Sequence, residues 1–184
     1  QRLVRNARGQ ARRPFYLVVE KILGEGEALP RIAGVHGTTG YEWLNTTSRV
    51  LVDESRPDSL DGTLREAADI MSDFPSVLLA SKRCVLQTLL NSEFTVLTRL
   101  LTRIANGHYA TRDFSADSLH QALELYVLHF PVYRTYIDTD GPSAIDRARI
   151  DRTIAQARAH WHGAEQSIFD FLRSVLTMDL ASIK

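Results

Sequence analysis

Glu20 and Lys21 close the run Tyr16-Leu17-Val18-Val19, so a stretch of β-formers ends on a carboxylate beside an ammonium group. Barrel enzymes project their catalytic groups from the C-terminal ends of apolar strands. Loss of hydration at such a place raises a carboxyl's pKa and keeps a proton available for transfer. Lys21 alternates to the other side of the strand or turns out with the loop. The same pair equally suits a strand's exit into solvent, and position alone leaves both readings open. A second, glycine-spaced stretch, "GVHGTTGYEWLN", adds His36, Thr38 and Tyr41 as candidates. Tyr41 can stack on a ligand or pack with its hydroxyl satisfied nearby. His36, a lone histidine beside a glycine, is a structural residue or a ligand contact. Further along, "FPVYRTY" (Phe130 to Tyr136) carries Tyr133 and Arg134, which offer rings and planar donors. A buried return segment with the arginine in an ion pair explains that segment as well.

These residues must be positioned by few strands and many helices. Phe15 to Glu20 reads as one strand buried on both faces, and Val35 to Thr39 as a second extended piece loosened by Gly34, Gly37 and Gly40. Arg2 to Arg13 reads as a solvated helix ending before Pro14. From about Leu60 the pattern is helical throughout. Leu64, Ala67, Ala68 and Met71 recur at helical spacing, and Pro75 opens the next helix from its first turn. Phe94, Leu97, Leu100, Leu101 and Ile104 form a stripe at i, i+3, i+4 and i+7 that predicts one buried face, ended by Asn106-Gly107. Ser115 is the expected N-cap of the following helix and Pro131 its stop. Ser143 with Asp146 predicts a capping box for another helix, with Gly163 at its end, and Ile168, Phe169, Leu172, Val175 and Leu176 mark the last. The expected fold class is therefore mainly α, with residues 1–54 carrying strands and loops and residues 55–184 forming a helical subdomain.

A lone strand cannot satisfy its own buried backbone groups. Phe15 to Glu20 thus needs neighbours that the chain barely supplies. The one or two strands read as pieces of a larger sheet or barrel, and both termini read as cuts through a longer protein.

The 184 residues suit one domain with a sizeable core. Lys and Arg number 22, as do Asp and Glu, for a formal net charge of zero, which argues against a general nucleic-acid or membrane-surface binder. No apolar run reaches the roughly 18 residues of a membrane span. Cys84, the single cysteine, removes any internal disulfide. No metal-ligand spacing or phosphate loop stands out, so no metal or cofactor is expected.

Two motifs in order carry a resemblance. Pro14-Phe15-Tyr16 running into Val19-Glu20-Lys21-Ile22-Leu23, then Leu29-Pro30, is followed by Gly37-Thr38-Thr39-Gly40-Tyr41-Glu42. Together with Phe130 to Tyr136 and the Lys82-to-Glu93 stretch, this resembles the maltooligosyl trehalose synthase family, the (1→4)-α-D-glucan 1-α-D-glucosylmutases of the α-amylase-like glycoside hydrolases. The likeness extends over nearly the whole chain. It departs at Ile32 and Ala33, where the family usually places an Asp-Trp pair.

The resemblance implies a (β/α)8 barrel with insertions, of which 1–54 would be a barrel segment and 55–184 an inserted helical subdomain. It implies an isomerase of carbohydrate metabolism, cytoplasmic, that turns the reducing-end α-1,4 bond of a maltooligosaccharide into an α,α-1,1 bond by a retaining mechanism. Glu20 would be the acid/base. Lys21, His36, Thr38, Tyr41, Tyr133 and Arg134 would bind substrate, with Lys21 turned toward sugar hydroxyls. The nucleophile, expected in an Arg-x-Asp context on the preceding strand, and a third carboxylate on a later one have no counterpart here. The chain is expected to need the rest of its parent polypeptide and to be inactive alone. The alternative expectation is a non-catalytic helical interaction domain.

Overall fold

The computed structural model describes residues 16–182 except 25, 54, 56 and 69–72. The expected helix over Arg2 to Arg13, the strand start at Pro14-Phe15, and Met71 lie outside the described residues. The chain is mainly helical, with seven α-helices and two short strands among the described residues. It divides into two compact units, Gln1–Met71 and Ser72–Lys184, which are taken in turn.

In the first unit, β1 (Val18–Val19) pairs in parallel with β2 (Gly37–Thr38), in the register Val18↔Gly37 and Val19↔Thr38. His36 N donates to Leu17 O at 2.8 Å and Thr39 N to Val19 O at 3.1 Å, extending the ladder one step at each end. Two helices follow, α1 (Tyr41–Val50) and α2 (Pro57–Ala68). Gly40, at φ 102°, turns the chain from β2 into α1. That is a left-handed conformation open to glycine at little cost.

The expectation of a strand buried on both faces is corrected here. β1 is two residues long and half-buried, Leu17 is exposed, and Tyr16 is 79% exposed. The physical reason is that a strand's faces are covered by helices or a second sheet, and the described residues of this unit leave Tyr16 and Leu17 open. The apolar composition of 16–19 anticipates partners that a two-stranded sheet does not provide.

The second unit is built from α3 (Phe74–Thr88), α4 (Asn91–Asn106), α5 (Ala116–His129), α6 (Ala144–Ala159), α7 (Ser167–Leu176) and a 3₁₀ turn over Asp179–Ser182. Several starts follow the cap chemistry. Asp73 accepts from Ser76 N at 2.9 Å, with Pro75 in the first turn of α3. Ser115 accepts from Ser118 N at 3.0 Å and Ser143 from Asp146 N at 3.1 Å, while the Ser143 hydroxyl returns a bond to the Asp146 carboxylate at 2.8 Å. Helix α5 is the central element. Its Leu119, Ala122, Leu123 and Tyr126 meet Phe94 and Leu101 of α4, Ile150 and Ile154 of α6, and Phe169 and Leu172 of α7 in one core. Truncating a residue such as Leu119, which is fully buried, to alanine costs about 2–5 kcal/mol.

Two expectations shift in this unit. On α4 the covered face is Phe94, Thr98, Leu101 and Ala105, whereas Leu97, Leu100 and Ile104 of the expected stripe stand partly exposed beside it. Helix α6 stops at Ala159, before Gly163. That glycine serves a close approach instead: a Cβ there would lie 2.4 Å from Cζ2 of Trp161.

Candidate functional site

Because β1 and β2 are parallel, both point the same way, and the loops after them converge at one end of the pair. Glu20 leaves β1 at that end. Thr39 and Gly40 leave β2 there, and Gly40 swings Tyr41 into the first turn of α1. The Tyr41 hydroxyl donates to Glu20 Oε1 at 3.0 Å. Two candidates separated by 21 residues therefore meet through the sheet. With Thr39, Gly40 and Leu44 they line an open hollow of about 440 Å³. The hydrogen bond to Glu20, reinforced by its negative charge, pushes the Tyr41 phenol above its ordinary value.

This bond fixes the carboxyl's orientation. Oε1 accepts from the phenol. Glu20 itself is exposed; the apolar enclosure expected around it is not built by the described residues of this unit.

Lys21 lies elsewhere than expected. Its ammonium is 2.8 Å from Glu27 Oε1, and the two side chains are only 8% and 7% exposed. Glu27 is held in turn by the turn it sits in: Gly24 N donates to Glu27 Oε2 at 2.9 Å and Glu27 N to Gly24 O at 3.0 Å. The ion pair closes the 21–27 loop on itself, and Lys21 does not face the hollow beside Glu20. An ammonium this poorly hydrated needs a carboxylate more than a sugar hydroxyl.

His36 and Thr38 take framework roles in the loop. Leu17 N donates to His36 Nδ1 at 3.1 Å, and the imidazole lies 5.1 Å from the Tyr16 ring, so the side chain continues the strand pairing. Thr38 Oγ1 donates to Glu42 Oε2 at 2.5 Å and accepts from Gly40 N at 3.3 Å. The threonine hydroxyl holds the Glu42 carboxyl below the usual carboxylate range.

Tyr133 and Arg134 belong to the second unit. Tyr133 is 89% exposed, and Arg134 Nε donates to Thr135 O at 3.1 Å with its guanidinium 4.6 Å over the Tyr136 ring. Of the named candidates, the structure joins Glu20 to Tyr41, pairs Lys21 with Glu27 of its own loop, His36 with Leu17 across the strand pair, and Thr38 with Glu42 of α1.

No family model matches the chain, and neither curated proteins nor solved structures give a match. Among the described residues no group of three or more His, Cys, Asp or Glu is placed to hold a metal ion, and no helix is long and apolar enough to cross a membrane.

Glu27 and Glu42 went unassigned in the sequence. Glu42 reaches Thr38 across the left-handed turn at Gly40, from the first turn of α1 back to β2, so helical spacing does not signal the contact. Glu27 has no sequence signal either, because its approach to Lys21 depends on the path of a glycine-rich turn.

Proposed function

We propose that this chain carries the acid/base carboxyl of an intramolecular glucosyltransferase of the maltooligosyl trehalose synthase type, with 1–54 as a segment of a (β/α)8 barrel. The observation that carries the reading is the Tyr41–Glu20 hydrogen bond at the C-terminal end of a parallel strand. It supports the reading because barrel enzymes carry their catalytic groups at the C-terminal ends of parallel strands. The motif run from Pro14 to Leu23 and from Gly37 to Glu42 supplies the choice of reaction.

In this reading Glu20 delivers its proton to the oxygen of the reducing-end α-1,4 bond. The C1–O bond breaks as a carboxylate supplied by the parent polypeptide forms an ester to C1. The released glucose turns within the site. Glu20, now a base, takes the proton of the anomeric hydroxyl, whose oxygen attacks C1 and displaces the ester. Two inversions return the α configuration, and the product is linked α,α-1,1. Water must be kept from the ester for the duration, a task for the loop over Gly37 to Tyr41 together with the remainder of the barrel. The substrate is a neutral maltooligosaccharide, and no cofactor enters the steps.

Tyr41 is a positioning residue in this scheme: its hydroxyl is engaged by Glu20 and its role is to hold Oε1. Incubating the polypeptide that contains this chain with maltopentaose tests the reading. Loss of reducing ends with a trehalose-ended product supports it, and Glu20→Gln is expected to remove nearly all turnover while leaving substrate binding largely intact. Hydrolysis alone, or turnover that survives Glu20→Gln, counts against it. The 184-residue chain by itself is expected to be inactive.

A second reading, a helical interaction domain, draws on the apolar side chains left exposed by α4 and the link from α3, among them Leu89, Val96 and Leu97. Sedimentation of the chain over a range of concentrations tests it. Self-association abolished by Leu89→Ser with Leu97→Ser would favour that reading.

A further inference from the structure

Where α5 ends, one histidine lies against another. His129, the last residue of α5, stacks on His160, the residue that closes α6, with ring centroids 4.5 Å apart and 30° between planes. Both rings line a hollow of about 390 Å³, together with Arg83, Glu124 and His162 of the link to α7. Glu124 is the only carboxylate among the described lining residues, and Arg83 Nε already engages it at 2.9 Å. Helix α3 thus brings Lys82 and Arg83 to this corner, α5 brings Glu124 and His129, and α6 with its following link brings His160 and His162. Helices α4 and α7 add no described lining residue.

A helix C-terminus ordinarily favours a charged histidine, because its last carbonyls carry partial negative charge. Here a lysine answers those carbonyls first. Lys82 Nζ donates to Leu128 O at 3.1 Å and to Phe130 O at 2.9 Å, on either side of His129 in the chain. Gln156 O can only accept, so Nδ1 of His160 carries the hydrogen of their 2.9 Å bond. A further proton on His160 goes to Nε2 and makes that ring a cation against His129. Burial, then the charges of His160, Lys82 and Arg83, push the half-buried His129 imidazole below its ordinary value of 6.5. A histidine lowered in this way supports the fold above 6.5 and withdraws that support as pH falls through the lowered value.

We propose that the His129–His160 stack is an acid-sensitive joint of the helical unit, which opens when both rings carry a proton. Opening frees the last turn of α5 from α3 and α6. The core around Leu119 stays closed, because that residue lies roughly 15 Å back along the helix from His129.

Amide hydrogen exchange of the 184-residue chain, corrected for the intrinsic rate at each pH, is compared at about pH 7.5 and about pH 5. Protection of Val127, Leu128 and His129 is expected to fall at least about threefold on acidification, while Leu119 to Leu123 hold theirs. His129→Phe keeps a ring in the stack without its titration, and the fall is expected to vanish. His160→Gln changes an exposed side chain. In that variant the His129 Cε1 proton, followed by NMR, is expected to titrate closer to 6.5 than in the unaltered chain. Circular dichroism checks that both variants fold, and His160→Gln carries the test alone if His129→Phe does not. Protection that does not change with pH, an equal fall in His129→Phe, or a fall spread evenly over all the helices overturns the inference. So does a His129 titration that already sits at 6.5 in the unaltered chain, or one that His160→Gln leaves in place.

Discussion

The Tyr41 hydroxyl donates to Glu20 Oε1 at 3.0 Å, across 21 residues of chain, through a two-stranded parallel ladder. The bond has a consequence for the titration of Tyr41. Tyr41 is held neutral beyond the ordinary tyrosine value of 10.0, first by the hydrogen bond to Glu20 and then by its charge. A group whose folded value is raised binds its proton more tightly in the folded state. Its contribution is thus fully present below pH 10 and fades as pH rises through the raised value. Tyrosinate absorbance should show one residue titrating late, and Glu20→Gln should bring it back toward 10.

In the proposed reaction, Tyr41→Phe frees the carboxyl to rotate. kcat is expected to fall about tenfold, or about 1.4 kcal/mol of barrier, with KM nearly unchanged. A rise in KM at constant kcat would instead make Tyr41 a sugar contact, as the family resemblance implies.

The Lys21–Glu27 pair is buried, so removing one partner takes a close counter-charge from the other. Glu27→Gln is expected to cost about 3 kcal/mol in a denaturant titration. The double change Lys21→Met with Glu27→Leu should recover most of that, because replacing both charges by apolar groups removes the desolvation cost along with the attraction.

Asp179 gathers Arg147 at 2.9 Å and Arg173 at 3.2 Å, and its carboxyl is held down at about 2, first by the Arg147 hydrogen bond and next by Thr177. A depressed carboxylate stabilises the fold above its unfolded value, near 3.8, and loses that contribution as pH falls toward 2. Unfolding of the helical unit should therefore ease through that window, and Asp179→Asn should flatten the pH dependence there. An identical acid limb in the variant would show that the cluster contributes nothing.

Gly163→Ala puts a methyl 2.4 Å from Trp161 Cζ2. The ring must shift, at a cost of about 1–3 kcal/mol, with a change in Trp161 emission.

The helix starts were legible because capping is local: Ser115, Ser143 and Pro75 announce themselves within four residues of the turn they organise. The covered side of α4 was not, because Leu97, Leu100 and Ile104 are as apolar as Leu101, and periodicity does not say which of them a neighbour reaches. Glu20 and Tyr41 were each singled out by their surroundings in the sequence. Their contact depended on which strand pairs with which, and in what register. Lys21 was misplaced because alternation along a strand decides a side but not a partner, and Glu27 arrives only through the turn at Gly24.

The most direct test of Glu20 as acid/base uses two substrates with the polypeptide containing this chain and its Glu20→Ala variant. A maltooligosyl fluoride leaves without a proton, so formation of the glycosyl ester needs no acid, whereas maltopentaose needs one. The account predicts that Glu20→Ala loses on the order of 10²–10⁴ in rate on maltopentaose while still consuming the fluoride in a rapid first turnover. Equal loss on both substrates, or none on maltopentaose, would contradict it.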